Sequence, residues 1–186
     1  MNGTWRGAAA LAAFNLLWAL GACSGGAGRG GGARAGIAVP AGRAADEAPD
    51  PTLAVVMRDP QGRDIRFADF GGKVRVLDLW ATWCGPCRMG IPHLNALYDR
   101  YRDRGVVVVG ISVDDSPADV ATFLHEIPMR YPNGMINPQI RALLGDPSSI
   151  PVTLILDQSG RLRQKFVGLV DTATLEESIR GLLAPS

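Results

Sequence analysis

Val74-Arg75-Val76-Leu77-Asp78-Leu79-Trp80-Ala81-Thr82-Trp83-Cys84-Gly85-Pro86-Cys87 holds a strand, a break and the start of a helix. Its first half is apolar and β-branched enough for a buried central strand. The strand stops at two cysteines separated by Gly-Pro. Beyond them Leu94, Leu97, Tyr98 and Tyr101 recur at i, i+3, i+4 and i+7, which predicts a helix over about 84–104, kinked at Pro92. Cys84 then stands at a helix N-terminus, where unpaired N–H groups and the positive end of the macrodipole favour an anion. That predicts a lowered thiol pKa and an attacking role for Cys84. Cys87, one turn further in, is the expected resolving thiol.

Three other uses of two cysteines at this spacing compete. A structural disulfide closing so short a loop would restrict the unfolded chain little, on the order of 2 kcal/mol. A zinc half-site needs four ligands, and only His93, His125 and scattered acids are on offer. A copper carrier could pair the thiols with His93 or His125.

Working outward, Gly71-Gly72 breaks the chain ahead of the central strand. Before it, Leu53 to Met57 reads as a strand, Asp59-Pro60-Gln61-Gly62 as a turn and Ile65 to Phe67 as a second short strand. After it, Val106 to Val113 is a second buried strand. Ser116-Pro117-Ala118-Asp119 reads as the capped start of a helix carrying Val120, Phe123, Leu124 and Ile127. Tyr131-Pro132-Asn133-Gly134 is a loose stretch leading to a short helix near 139–144. Val152 to Leu156 and Leu162 to Val167 form a hairpin about Asp157 to Gly160. A last helix spans about 172–183, capped by Asp171 or Thr172. Asp114 and Asp115 are expected to end a strand and help cap the helix after it. Strands alternating with helices, closed by a hairpin and a helix, give an α/β domain: a central mixed sheet with helices on both faces.

The 186 residues suffice for one domain with length to spare, and 47% of them are hydrophobic. The formal net charge is +1, with no dense basic run, so nucleic acid is not an expected partner. No cofactor or metal is expected. Three cysteines occur, Cys23, Cys84 and Cys87, and the odd one needs a reason. Arg6 followed by the apolar stretch Gly7 to Leu20 has the form of a signal peptide, too short for a comfortable membrane span. Leu20-Gly21-Ala22-Cys23 resembles the bacterial lipobox. That resemblance implies cleavage before Cys23 and its acylation, and so an exported, lipid-anchored protein on the periplasmic or extracytoplasmic side. An ordinary cleavage site is the alternative. Residues 1–22 are thus read as signal peptide and 23–51 as lipidated cysteine and flexible tether. Such a Gly-, Ala-, Arg- and Pro-rich tether would reach about 30 Å. Residues 52–186 are the expected folded domain.

Trp83-Cys84-Gly85-Pro86-Cys87 reads as in thioredoxins, and the chain from about Leu53 to Leu183 resembles the TlpA/ResA-like branch of that superfamily. Gly72-Lys73, Trp80-Ala81-Thr82-Trp83, Val109-Gly110-Ile111-Ser112-Val113-Asp114 and Ile150-Pro151-Val152-Thr153 carry the resemblance. It implies a thioredoxin-like fold and a redox-active Cys84/Cys87 couple. It also implies a cis Ile150-Pro151 bond beside the couple, leaving the Ile150 backbone open to a substrate strand. Asp78 becomes the buried acid that exchanges a proton with Cys87, and Trp83 part of an apolar contact surface. Gly90 stands where many relatives carry Glu, so any role of that acid is absent here. The Gly85-Pro86 pair is that of reducing members. By this analogy the protein is a monomeric reductase of protein disulfides, fed by a membrane thiol transporter. Apocytochrome c or copper-site thiols would be its substrates. A disulfide oxidase or isomerase, or a Cu(I) delivery protein, remain alternatives. A thiol peroxidase is disfavoured, since no Thr-x-x-Cys arrangement occurs.

Overall fold

The computed structural model describes residues 37–38 and 49–183. The signal segment and Cys23 lie outside them. Strands β1 (Ile37–Ala38), β2 (Val56–Arg58), β3 (Asp64–Arg66) and β4 (Val74–Trp80) come first, followed by α1 (Gly85–Tyr101). Then come β5 (Val106–Ser112), α2 (Pro117–Glu126), β6 (Asn133–Met135), α3 (Pro138–Leu144), β7 (Val152–Leu156), β8 (Leu162–Val167) and α4 (Thr172–Arg180). The main sheet has the order β1-β8-β7-β4-β5-β6, and β2 pairs with β3 in a separate two-stranded ribbon. β4 runs parallel to β5, and β5 to β6, while β7 is antiparallel to β4.

Every residue of β4 and β5 is buried, because both faces of the sheet centre are covered. Alternation sorts the side chains. Val74, Val76, Val106, Val108 and Ile155 meet Leu94, Leu97 and Tyr101 of α1 and Leu175 and Ile179 of α4. Leu77, Leu79, Val107, Val109, Leu154 and Leu156 meet Met57, Phe67 and Ile140 on the other face. A third cluster joins Trp80 and Ile91 to Val120 and Phe123 of α2, the Trp80 and Phe123 rings lying 5.1 Å apart.

The fold differs from the sequence reading in several elements. Pro51–Ala54 is a 3-10 turn capped by Asp50, so only the end of the expected first strand is extended. The loose stretch holds β6, whose Gly134 packs against the Met57 side chain. The last helix stops at Arg180, short of the expected 183. Two pieces of the segment read as tether are joined to the domain. Ile37 and Ala38 pair with Lys165 and Gln164 of β8. Asp50 accepts from the buried Arg75.

Candidate active site

α1 begins where β4 ends, and the turn between them carries the chemistry. Cys84 is the N-cap of α1, with Gly85 and Pro86 opening its first turn. Pro has no N–H to leave unpaired there. The next N–H, that of Cys87, donates to Cys84 Sγ at 3.2 Å. A side-chain acceptor at the N-cap is what a helix start requires, and here the acceptor is sulfur. The two residues are joined as a disulfide with Cα atoms 5.3 Å apart. Both are buried, Cys84 at 5% exposure and Cys87 at 3%, so the pair differs little in access. Pro92 lies inside α1, which runs on without interruption to Tyr101.

The turn is held from below. Asp114 Oδ2 accepts from the Thr82 N–H at 3.0 Å and its Oδ1 from the Thr82 hydroxyl at 2.7 Å. Ser112 Oγ also donates to Asp114, at 2.7 Å. The sequence suggested a helix cap at Asp114. Instead the carboxylate turns back to the residues ahead of Cys84, and Ser116 alone supplies the side-chain cap to α2. Strand-end position alone does not distinguish these two uses.

Asp78 projects from β4 toward α1, on the same face as Val74 and Val76. With Cys87, Gly90, Pro151, Thr153 and Leu169 it lines a crevice of about 10 Å3, close to the room one water needs. Its carboxyl is 3% exposed, and burial pushes its pKa up to about 7. The Ile150-Pro151 bond is cis, Pro151 is buried and Ile150 half-buried. A Cβ at Gly90 would lie 3.4 Å from the Leu169 side chain, so an apolar side chain borders this position.

Outside the crevice Trp83 is 71% exposed and Met89 57%, an apolar rim flanking the cysteines along the chain. The Arg88 guanidinium lies over the Phe123 ring. His93 is half-buried, its Nδ1 3.1 Å from Thr172 Oγ1. His125 is exposed. Among the described residues no three His, Cys, Asp or Glu side chains converge as metal ligands do.

Asp78, Cys87 and Pro151 thus line one crevice, and Cys84 is joined to it through the disulfide. Ile150 packs against the cluster that holds both cysteines, and Trp83 is exposed beside Cys84. A disulfide at a helix N-terminus above a buried carboxyl can be opened by an attacking thiolate, and once reduced its own N-terminal thiolate can attack a second disulfide.

Comparison with known proteins agrees with this chemistry. The model of the AhpC/TSA family matches residues 44–178. The thiol-disulfide oxidoreductase ResA of Bacillus thuringiensis subsp. konkukian is 28% identical over 125 residues, covering 67% of this chain and 72% of that protein. ResA of Geobacillus kaustophilus is 28% identical over 128 residues, covering 68% and 73%. Among solved structures, a thiol:disulfide interchange protein DsbE of Chlorobium tepidum superposes with a TM-score of 0.64 at 28% identity, covering 70% of this chain and 93% of that one. A DsbF homologue from Corynebacterium diphtheriae gives 0.68 at 26% identity, covering 81% and 95%. The chain belongs to the AhpC/TSA family, and within it is a thiol-disulfide oxidoreductase of ResA-like type and thioredoxin-like fold.

Proposed function

We propose that the protein is an exported, lipid-anchored reductase of protein disulfides, with Cys84 attacking and Cys87 resolving. The observation that carries the reading is the Cys84–Cys87 disulfide at the start of α1, with a helix N–H already directed at Cys84 Sγ. In the reduced protein that N–H and the macrodipole favour a Cys84 thiolate. The thiolate attacks a substrate disulfide, forming a mixed disulfide and releasing one substrate thiolate. Cys87 then gives its proton to the Asp78 carboxylate and attacks Cys84 Sγ. The second substrate thiolate leaves, the enzyme disulfide forms, and the two substrate thiolates take protons from water. A membrane thiol donor resets the couple. The exposed Trp83 and the backbone of Ile150 receive the substrate segment.

Substrates carrying paired cysteines, such as apocytochrome c or copper-site proteins, fit this chemistry. The reduction potential of the Cys84/Cys87 couple tests the direction. A value near the thioredoxin end, about −270 mV, supports reduction, whereas one near −120 mV assigns the protein to disulfide formation. Isomerisation is the second reading, favoured by the likeness to a secreted thiol-disulfide isomerase of Corynebacterium glutamicum, 27% identical with a TM-score of 0.63. Recovery of activity from a scrambled substrate, without net reduction, supports that reading instead. Tight stoichiometric Cu(I) binding without disulfide reduction would favour copper delivery. Export and anchoring rest on Cys23, which lies outside the described residues. Cys23→Ala is expected to move the protein from the membrane fraction to the soluble extracytoplasmic fraction, and its retention in the membrane would overturn the lipid anchor.

A further inference from the structure

Trp80 Nε1, Tyr131 Oη and Asn133 Oδ1 are buried and find no hydrogen-bond partner among the described residues. Unpaired polar groups are costly inside a fold, and two of these, Trp80 Nε1 and Asn133 Oδ1, meet at Gly110, the sheet neighbour of Asp78. Across the sheet Asp78 pairs with Gly110, and Gly110 with Asn133. A Cβ at Gly110 would collide with Asn133 Oδ1 and lie 3.1 Å from Trp80 Nε1. Only glycine leaves that space to the two polar atoms, one a donor and the other an acceptor. Asn133 Nδ2 donates to the Tyr131 carbonyl at 2.7 Å, which fixes the amide so that Oδ1 is the atom left over. Burial raises the pKa of the Tyr131 phenol, and the charge of Asp78 raises it further. Tyr131, Pro132 and Asn133 also form part of the wall of an open cleft of about 470 Å3 beside the β2–β3 hairpin. Asn133 thus borders both this cleft and Gly110, the sheet partner of Asp78.

We propose that Trp80, Tyr131 and Asn133 form an internal water-binding cradle that carries protons between Asp78 and this cleft. The proposal rests on the reading of Asp78 as the proton acceptor for Cys87 and adds where that proton goes. While a mixed disulfide occupies Cys84, the substrate covers the Trp83 and Met89 rim and the crevice below it. The proton that Cys87 gives to Asp78 then has no exit on that side. The cradle supplies one at the back: Asp78 releases its proton to the cradle water and the cleft receives it, so the carboxylate is restored before the next turnover. One water accepting from Trp80 Nε1 and donating to Asn133 Oδ1 satisfies both atoms, and the Tyr131 hydroxyl adds a third partner. Trp80, Tyr131 and Asn133 are positioning residues in this scheme. The titratable groups facing Asp78 are Cys87 of α1 and Tyr131. β5 supplies Gly110, β7 Thr153, and the turn before α4 Gly168, Leu169 and Val170. His93 of α1 bonds Thr172 instead.

The test uses the full-length reduced protein in detergent micelles, with a peptide disulfide as oxidant and single-turnover rates followed across pH. The wild-type rate is expected to inflect near pH 7 through Asp78. Tyr131→Phe and Asn133→Val should each move that inflection upward by about half a pH unit, since each removes support for the carboxylate. Each should also slow the resolving step about threefold, as a broken hydrogen-bond chain predicts. Cross-relaxation between the Trp80 indole N–H and a long-lived water is expected in the wild type and lost in Asn133→Val. An unmoved inflection in the variants, or an indole N–H with no water contact, overturns the cradle. It leaves the role of Asp78 intact provided Asp78→Asn abolishes the inflection. Should Asp78→Asn keep the inflection, the proton reading fails and the cradle falls with it. If Asn133→Val does not fold, Tyr131→Phe, which removes one oxygen, decides alone.

Discussion

Asp78 is an acid in the centre of a sheet, and no counter-charge among the described residues holds it ionised. Its carboxyl is pushed up to about 7 by desolvation, against roughly 3.9 in an unfolded chain. Between about pH 4 and 7 the folded protein keeps a proton that the unfolded chain releases, so stability falls as pH rises through that window. Below it no penalty applies, and above it the penalty is constant. Three pKa units correspond to about 4 kcal/mol at most. Asp78→Asn removes the penalty. Urea unfolding of the oxidised variant should match wild type near pH 4 and exceed it by about 2–4 kcal/mol at pH 8. Thiol exchange should lose its inflection near 7 in the same variant. A variant less stable than wild type at pH 8 would mean that the folded protein stabilises the ionised acid. Asp78 was legible through the resemblance to thioredoxins, which implies a buried acid at this place in the central strand. Its polar neighbours Tyr131 and Asn133 were not, since they come from a stretch whose Pro, Asn and Gly read as loop.

That stretch forms a strand because of its neighbour, not its own composition. β5 exposes an unpaired edge beyond Gly110 and Ser112, and parallel pairing with Asn133 and Met135 satisfies it. Long-range demand of this kind leaves no local signature. The 3-10 turn at Pro51–Ala54, by contrast, was written locally: an Asp followed by Pro is a helix start, obscured by the apolar residues that follow. β4, β5, β7, β8 and the four helices were readable from periodicity and caps because their packing repeats at every turn or every second residue. The turn before α1 depends on an element junction as well. Asp114, just past the end of β5, accepts two hydrogen bonds from Thr82, two residues ahead of Cys84, and is itself held by a third from Ser112. Asp114→Ala leaves the Thr82 N–H without its acceptor and should cost about 2 kcal/mol in chemical denaturation. Disulfide exchange should slow about tenfold, because Cys84 loses its fixed approach. Asp114→Asn, which keeps one acceptor oxygen, should recover part of both. Lost stability with an unchanged rate would show that α1 positions Cys84 without help from β5.

Over the whole domain the two sheet faces are secured by different chemistry. The α1 face holds the redox couple, while the opposite face buries a cation, Arg75, at 0% exposure. Arg75 Nη2 meets Asp50 Oδ2 at 2.5 Å and Nη1 meets Thr52 Oγ1 at 2.5 Å, with the Asp157 carbonyl 3.4 Å away. A Cβ on Gly160 would collide with the Asp50 carboxylate, so the β7–β8 turn is shaped to receive it. The segment expected to be plain tether therefore ends in a clip that ties residues 50–52 to the middle of the sheet. A charge in a strand has no visible partner in sequence when that partner lies 25 residues upstream. Burial alone would raise the Asp50 carboxyl, but hydrogen bonds from Thr52 and Arg75 hold it below its ordinary range. A depressed native pKa contributes stability above about pH 4 and loses it as pH falls through the native value. Asp50→Ala strands the Arg75 charge and should cost about 3–5 kcal/mol at pH 7. The gap to wild type should narrow below pH 4, where wild type also loses the carboxylate. Arg75→Met in the Asp50→Ala background should recover much of the loss, since an apolar side chain of similar length needs no partner. Urea unfolding of the three variants at two pH values measures these terms. An Asp50→Ala protein as stable as wild type at pH 7 would mean that Thr52 and the Asp157 carbonyl suffice for Arg75.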